Sequence, residues 1–93
     1  SDLPDTIPGL PRPLWLLPRP QPLQERNSRP YRNGPLSLLA GPERIETGWW
    51  DDCPVQRDYF IACDADELLF WIFRERLPAG ELRHGWFLHG RFG

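Results

Sequence analysis

Four side chains could ligate a soft metal or act as nucleophile and base: Cys53, Cys63, His84 and His89. Structural zinc sites set paired ligands roughly two to four residues apart. Here nine residues separate the cysteines and four separate the histidines. On a strand His84 and His89 would point to opposite faces, because they differ by an odd number of positions. Neither cysteine sits in a local catalytic signature, and Ser28 and Ser37 lie in no nucleophile-elbow pattern. The carboxylate pairs Asp51-Asp52 and Asp64-Ala65-Asp66 fall in turn-like stretches, where Asp is favoured for backbone reasons. Gly-rich phosphate loops are absent. No acid, base and nucleophile converge, so no enzymatic activity, metal or cofactor is expected.

Arginine and aromatic residues form the other constellation. Arg57, Arg74, Arg76, Arg83 and Arg91 interleave with Trp49, Trp50, Tyr59, Trp71, Trp86 and Phe92. Aromatics that stack bases beside arginines that hold phosphates are how small barrels grip single-stranded DNA. The competing reading makes the aromatics the core of a small sheet and pairs the arginines with the 13 acidic residues. A net charge of −2 and acidic turns favour the second reading. A third class is protein binding, since Arg and Trp are enriched at binding hot spots and a strand apolar on both faces needs covering.

Ninety-three residues allow one domain with a marginal core. All 11 basic residues are Arg, and Met is absent even from position 1. The chain is therefore expected to be a piece of a longer polypeptide. No apolar run reaches the roughly 18 residues of a membrane span, and no signal-peptide pattern is visible. Two cysteines without such a signal fit a reduced, cytoplasmic setting.

Residues 1–35 hold nine of the 12 prolines, and Pro excludes helix and central strand. This stretch reads as a Pro-rich extended arm in which Leu14-Trp15-Leu16-Leu17 is an extended or edge strand packed on the body, with a polar loop or linker from Gln21 to Asn33; an interdomain linker of polyproline character is the alternative. A small β domain is expected over 36–93. Leu36 to Leu39 is a short strand ended by Ala40-Gly41-Pro42. A weakly alternating segment, Glu43 to Thr47, leads to Trp49-Trp50 and a turn at Asp51 to Pro54. Arg57 to Cys63 is a strand rich in β-formers. Asp64 to Glu67 makes a tight hairpin connection. Leu68 to Glu75 is a strand with both faces apolar, hence central or covered. Leu77 to Leu82 is a loop or single helical turn, and Gly85 to Phe92 is the last strand. The expected fold is all-β, a small antiparallel meander or partly open barrel.

The segments GPERIETGWWD (Gly41 to Asp51), RDYF (Arg57 to Phe60), LFWIFRE (Leu69 to Glu75) and WFLHGRFG (Trp86 to Gly93) resemble, in order and spacing, the C-terminal region of the ImuB family. PLWLLPRPQPL (Pro13 to Leu23) is similar to the proline-rich lead-in to that region. ImuB proteins are Y-family DNA-polymerase homologues of the bacterial SOS mutagenesis cassette. They lack the catalytic carboxylates of the polymerase fold and act as assembly hubs. The resemblance implies a non-catalytic interaction module in translesion synthesis and mutagenesis. The implied partners are a RecA-like accessory protein and an error-prone polymerase subunit, with DNA reached through the parent protein. No clamp-binding peptide is seen around Gln21 and Gln24. The family favours Gly where this chain has Asp52, Cys53 and Glu67. Glu67 therefore implies a hairpin with no obligatory positive φ at that position. Trp49, Trp50, Arg74, Arg76, Trp86 and Arg91 are the expected partner contacts. A single-stranded-DNA module and a structural cap on the polymerase-like core are the alternatives.

Overall fold

The computed structural model describes residues 11–47, 55–77 and 85–93. These residues build six strands: β1 (Trp15–Arg26), β2 (Arg29–Tyr31), β3 (Ser37–Thr47), β4 (Val55–Cys63), β5 (Leu69–Arg76) and β6 (Trp86–Arg91). They form one antiparallel sheet in the order β2-β1-β6-β5-β4-β3. The expected all-β meander is present from β3 to β6. The doubly apolar β5 lies inside the sheet between β4 and β6, and β1 returns to pair with the other side of β6.

A short connection makes this sheet curl. β2 and β3 lie at opposite edges, yet only residues 32–36 join them. Six flat strands would place those edges roughly 24 Å apart at the usual strand spacing. Six Cα-to-Cα steps reach about 21 Å at most, and this link spends part of its reach on a turn, where the Arg32 amide donates to the Gly34 carbonyl at 2.8 Å. The sheet therefore bends into a half-barrel. The Leu36 amide donates to the Pro30 carbonyl at 3.1 Å, tying the crossing segment to β2.

Strand alternation sorts the side chains onto two faces. The face crossed by the 32–36 link carries Leu36, Ala62, Phe70, Ile72, Trp86 and Leu88, with Leu17, Leu23 and Phe60 packed against them. The opposite face carries Tyr59, Ile61, Trp71 and Phe73, flanked by Ala40, Ile45, Phe87 and Phe92. Both faces of β4 and β5 are buried, as their sequences require.

The Pro-rich stretch departs from expectation in two ways. Gln21 to Arg26 is strand, where a loop was expected. Only Gln24 to Arg26 face β2, so most of β1 has an open outer edge. Pro18 and Pro20 fall inside the register shift between Leu16 and Gln21, where no ladder bond is lost. Pro20 and Pro22, two apart, turn their missing donors to one side of the strand. Second, Leu14, Trp15 and Leu16 remain exposed, and only Leu17 of that cluster packs on the core.

Two turn expectations also change. Gly41-Pro42 does not end a strand, because β3 runs through it with register shifts on either side of Ala40. Glu67 adopts a positive φ of 65°, contrary to the turn expected from its side chain. Asp64 explains this. Its Oδ1 accepts from the Asp66 and Leu68 amides at 2.9 and 3.0 Å, and its carbonyl accepts from the Glu67 amide at 3.0 Å. That local network holds a non-Gly residue in a region it seldom visits.

Gly90 is required by close approach, since a Cβ there would lie 2.5 Å from the Trp15 carbonyl oxygen. Gly90→Ala is expected to push β1 off β6 and to destabilise the chain by about 1–3 kcal/mol. Urea unfolding checks this, and unchanged stability would mean that the β1–β6 contact yields freely.

Candidate partner-binding face

The second face is closed by cations laid over rings. Tyr59 and Trp71 stack with centroids 4.0 Å apart, and Phe73 stacks on Phe87 at 5.2 Å. The Arg57 guanidinium lies 4.3 Å from the Phe73 centroid and donates to the Tyr59 hydroxyl at 3.1 Å. Arg12 sits 5.5 Å over Trp71 while bonding both carboxylate oxygens of Glu43. His89 stacks on Trp71 at 5.1 Å, and its Nδ1 meets the Tyr59 hydroxyl at 2.7 Å. Arg57 donates to the phenol oxygen, so the arrangement that satisfies all three groups has Tyr59 donating to a neutral imidazole. Burial, reinforced by the Arg57 charge, holds the His89 pKa below its ordinary value. Burial also pushes the Tyr59 phenol up, against the pull of Arg57. Arg12, Arg57, Tyr59 and His89 thus find partners within this face, while the Trp71 indole N–H and the Arg57 Nε are buried without a hydrogen bond.

The first face differs. Its polar end is organised by Asp58, which is 3% exposed. Arg44 lies directly opposite Asp58 on β3 and donates to it at 3.0 Å, and Arg76 donates from β5 at 2.8 Å. Burial alone would raise the Asp58 pKa, but the two arginines outweigh it and hold the carboxylate below its usual range. The trio keeps one surplus positive charge.

Beside it Arg74 lies 4.7 Å over the Trp86 ring. Trp86 is 3% exposed, and its indole N–H donates to the Ser28 carbonyl at 3.3 Å. Further along, Arg32 covers Phe70 at 5.1 Å and Arg91 reaches Trp15 at 6.0 Å. Arg74, Arg29, Arg32 and Arg91 make no ion pair with the described residues. The 32–36 link separates two grooves on this face. One, of about 380 Å³, runs between Trp15, Leu17, Arg32, Phe70, Leu88 and Arg91. The other, of about 480 Å³, runs between Arg29, Pro30, Leu36, Phe60, Arg74 and Trp86.

Arg74, Arg76, Trp86 and Arg91, expected from the sequence as contacts, thus share one face. Trp86 acts there as a buried support for Arg74, and Arg76 is held by Asp58. Trp49, Trp50, Cys53 and His84 lie outside the described residues. Arg29, Arg32 and Trp15 were not singled out as contacts. Their place on the face comes from pairings far apart in the chain, so no local pattern marks them. Register also gathers the exposed apolar side chains at one rim. Pairing of Trp15 with Arg91, Phe70 with Arg91, Leu69 with Cys63 and Cys63 with Ser37 puts Leu14, Trp15, Leu16, Leu38, Leu39, Leu68 and Leu69 at the same end of the sheet. Among the described residues no helix is long and apolar enough to cross a membrane. None of their His, Cys, Asp and Glu side chains form a group of three able to hold a metal.

The likeness drawn from the Trp- and Arg-bearing segments holds over nearly all of this chain. The chain is similar to Protein ImuB of Caulobacter vibrioides, in strains NA1000 / CB15N and ATCC 19089 / CB 15, at 33% identity over 105 aligned residues. The alignment covers 92% of this chain and 23% of the relatives' length. The chain therefore spans about a quarter of the curated relatives it matches. No family model matches, and no solved structure matches.

Two outcomes follow from the site chemistry. Asp58→Ala leaves two facing cations without their carboxylate and should cost about 2–4 kcal/mol in urea unfolding. Arg44→Ala, at a half-exposed position, should cost under about 1 kcal/mol. Stability should also fall with acid. The folded pKa of His89 lies below its ordinary value of 6.5, so the unfolded chain takes up that proton first. The His89 contribution is complete above about pH 6.5 and declines as pH drops toward the folded pKa. Asp58 adds a further loss below its ordinary value of 3.8. Thermal melts between pH 7.5 and 5 should show a falling Tm that flattens in His89→Gln. An equal fall in that variant would assign the effect elsewhere.

Proposed function

We propose, with the likeness to ImuB as premise, that this chain is a non-catalytic protein-interaction module of an ImuB-like protein. It would act in SOS-induced translesion synthesis and mutagenesis, in the bacterial cytoplasm. The observation that carries this reading is the uneven treatment of arginine on the two faces. On the second face Arg12 and Arg57 are committed to Glu43, Glu75 and Tyr59. On the first, Arg44 and Arg76 are held by Asp58, while Arg29, Arg32, Arg74 and Arg91 make no ion pair among the described residues and border two grooves ending at an apolar rim. Positive charge around apolar recesses suits a protein partner with an acidic and apolar surface. The resemblance points to the RecA-like accessory protein and the error-prone polymerase subunit as the partners.

The same arginines also favour single-stranded DNA as a second reading. Base stacking, however, needs open ring faces. Tyr59, Trp71, Phe73, Phe70 and Trp86 are all buried, which leaves Trp15 as the open indole among the described residues. Trp49 and Trp50 remain contact candidates on the sequence argument.

The test is capture of each purified partner by this chain and by Arg74→Glu, Arg91→Glu, Trp49→Ala and Trp50→Ala variants. The charge reversals are expected to weaken capture about tenfold or more while melting close to the parent. Undiminished capture by both charge reversals would overturn the reading, as would salt-sensitive binding to single-stranded DNA in place of either partner.

A further inference from the structure

The groove beneath Arg74 has the composition of a specific pocket. Its floor is apolar, made by Pro30, Leu36 and Phe60. Pro30 is among the most fully buried residues, and Phe60 packs tilted against Trp86 with centroids 5.4 Å apart. One wall is the Arg74 guanidinium, over the Trp86 ring. Its Nε is buried with no hydrogen-bond partner and no carboxylate within ion-pair distance among the described residues. Arg29 stands at the mouth with Ser28 and Ser37.

A guanidinium pinned on an indole has lost much of its freedom to turn toward water, so an incoming anion meets a pre-positioned fork. The apolar floor excludes a ligand that is charged all over. The indole is covered by Arg74 on one contact and Phe60 on another, so it offers no platform for a base. Charge and shape together select a carboxylate beside a bulky aliphatic side chain.

We propose that this groove binds an acidic-aliphatic segment of a partner protein, with an Asp or Glu side chain on Arg74 and Arg29 and the neighbouring Leu- or Ile-like side chain against Phe60 and Leu38, which line the groove over the buried Pro30 and Leu36. The inference rests on the interaction-module reading and names the chemistry of the partner. It assigns Arg74 as the specificity-determining residue and Trp86 as its positioning residue.

The experiment is an NMR titration of the whole chain, isotopically labelled. The reporters are the Arg74 Nε–H and the Trp86 indole N–H, the second held by the Ser28 carbonyl. The probes are the capped peptide Asp-Leu-Asp-Leu, its Asn-Leu-Asn-Leu counterpart and a ten-residue oligothymidylate. The acidic peptide is expected to shift both signals and the neutral one to bind about tenfold more weakly, as expected for loss of a charge-assisted hydrogen bond. Arg29→Ala, at an exposed position, should weaken the acidic peptide without disturbing the fold. Arg74→Gln should do so more strongly while the Trp86 signal stays dispersed. Equal binding of the two peptides, no shift at either reporter, or shifts with the oligonucleotide alone would each overturn the proposal. Failed capture of the purified partners by the unaltered chain would instead overturn the interaction-module reading. The titration decides the groove in either case.

Discussion

One sheet has two faces, and this chain has apolar residues on both sides of its inner strands with no helix among the described residues to cover either. The rest of the structure answers that constraint. The first face is covered by curvature, enforced by the short link from β2 to β3 and filled by Leu36 from that link. The second is covered by long polar side chains. Arg57 and Arg12 lie across Phe73 and Trp71 and keep their charged ends on Tyr59, Glu75 and Glu43. Tyr59 is consequently 2% exposed with no second layer of strands or helices among the described residues.

This solution accounts for the prevalence of Arg in physical terms. A planar guanidinium stacks on a ring and still offers in-plane donors, whereas an ammonium is a compact, strongly hydrated charge. The same stacking recurs on the first face at Arg74, Arg32 and Arg91. There the in-plane donors find no carboxylate within the described chain. Covering a ring and binding an anion thus use the same side-chain geometry, and the difference between a lid and a binding site is whether an acid closes an ion pair with the guanidinium. Asp58 and Glu75 do so with Arg76 and Arg57. Asp58 also stands directly opposite Arg74, but its two oxygens are taken by Arg44 and Arg76.

The ImuB likeness frames this difference. The chain spans about a quarter of those relatives' length, and its apolar rim and the arginines without an ion pair among the described residues are the features on which the proposed interaction role rests. The Asp58 trio and the Tyr59–His89 pair belong instead to the fold, and their pH dependence is a property of stability.

The strand segments β4, β5 and β6 were legible because period-two patterning and aromatic and β-branched residues are local signals. The burial of both β5 faces from Phe70 to Phe73 followed from that pattern alone, whereas Leu68 and Leu69 of the same run are exposed at the rim. The likeness to ImuB was legible from the order of the Trp- and Arg-bearing pieces. Local signals failed where a distant strand set the outcome. Prolines marked residues 15–26 as an arm, but the open side of β6 recruits them into the ladder, with Pro18 and Pro20 placed where the register slips. Glu67 looked like a residue for negative φ, yet the Asp64 carboxylate captures two amides and carries it to positive φ. Sequence determined which residues must be buried and that a sheet would bury them, because those are properties of side chains and their alternation. Only the tertiary structure decided which arginines meet an acid and which do not, because that depends on register between strands tens of residues apart.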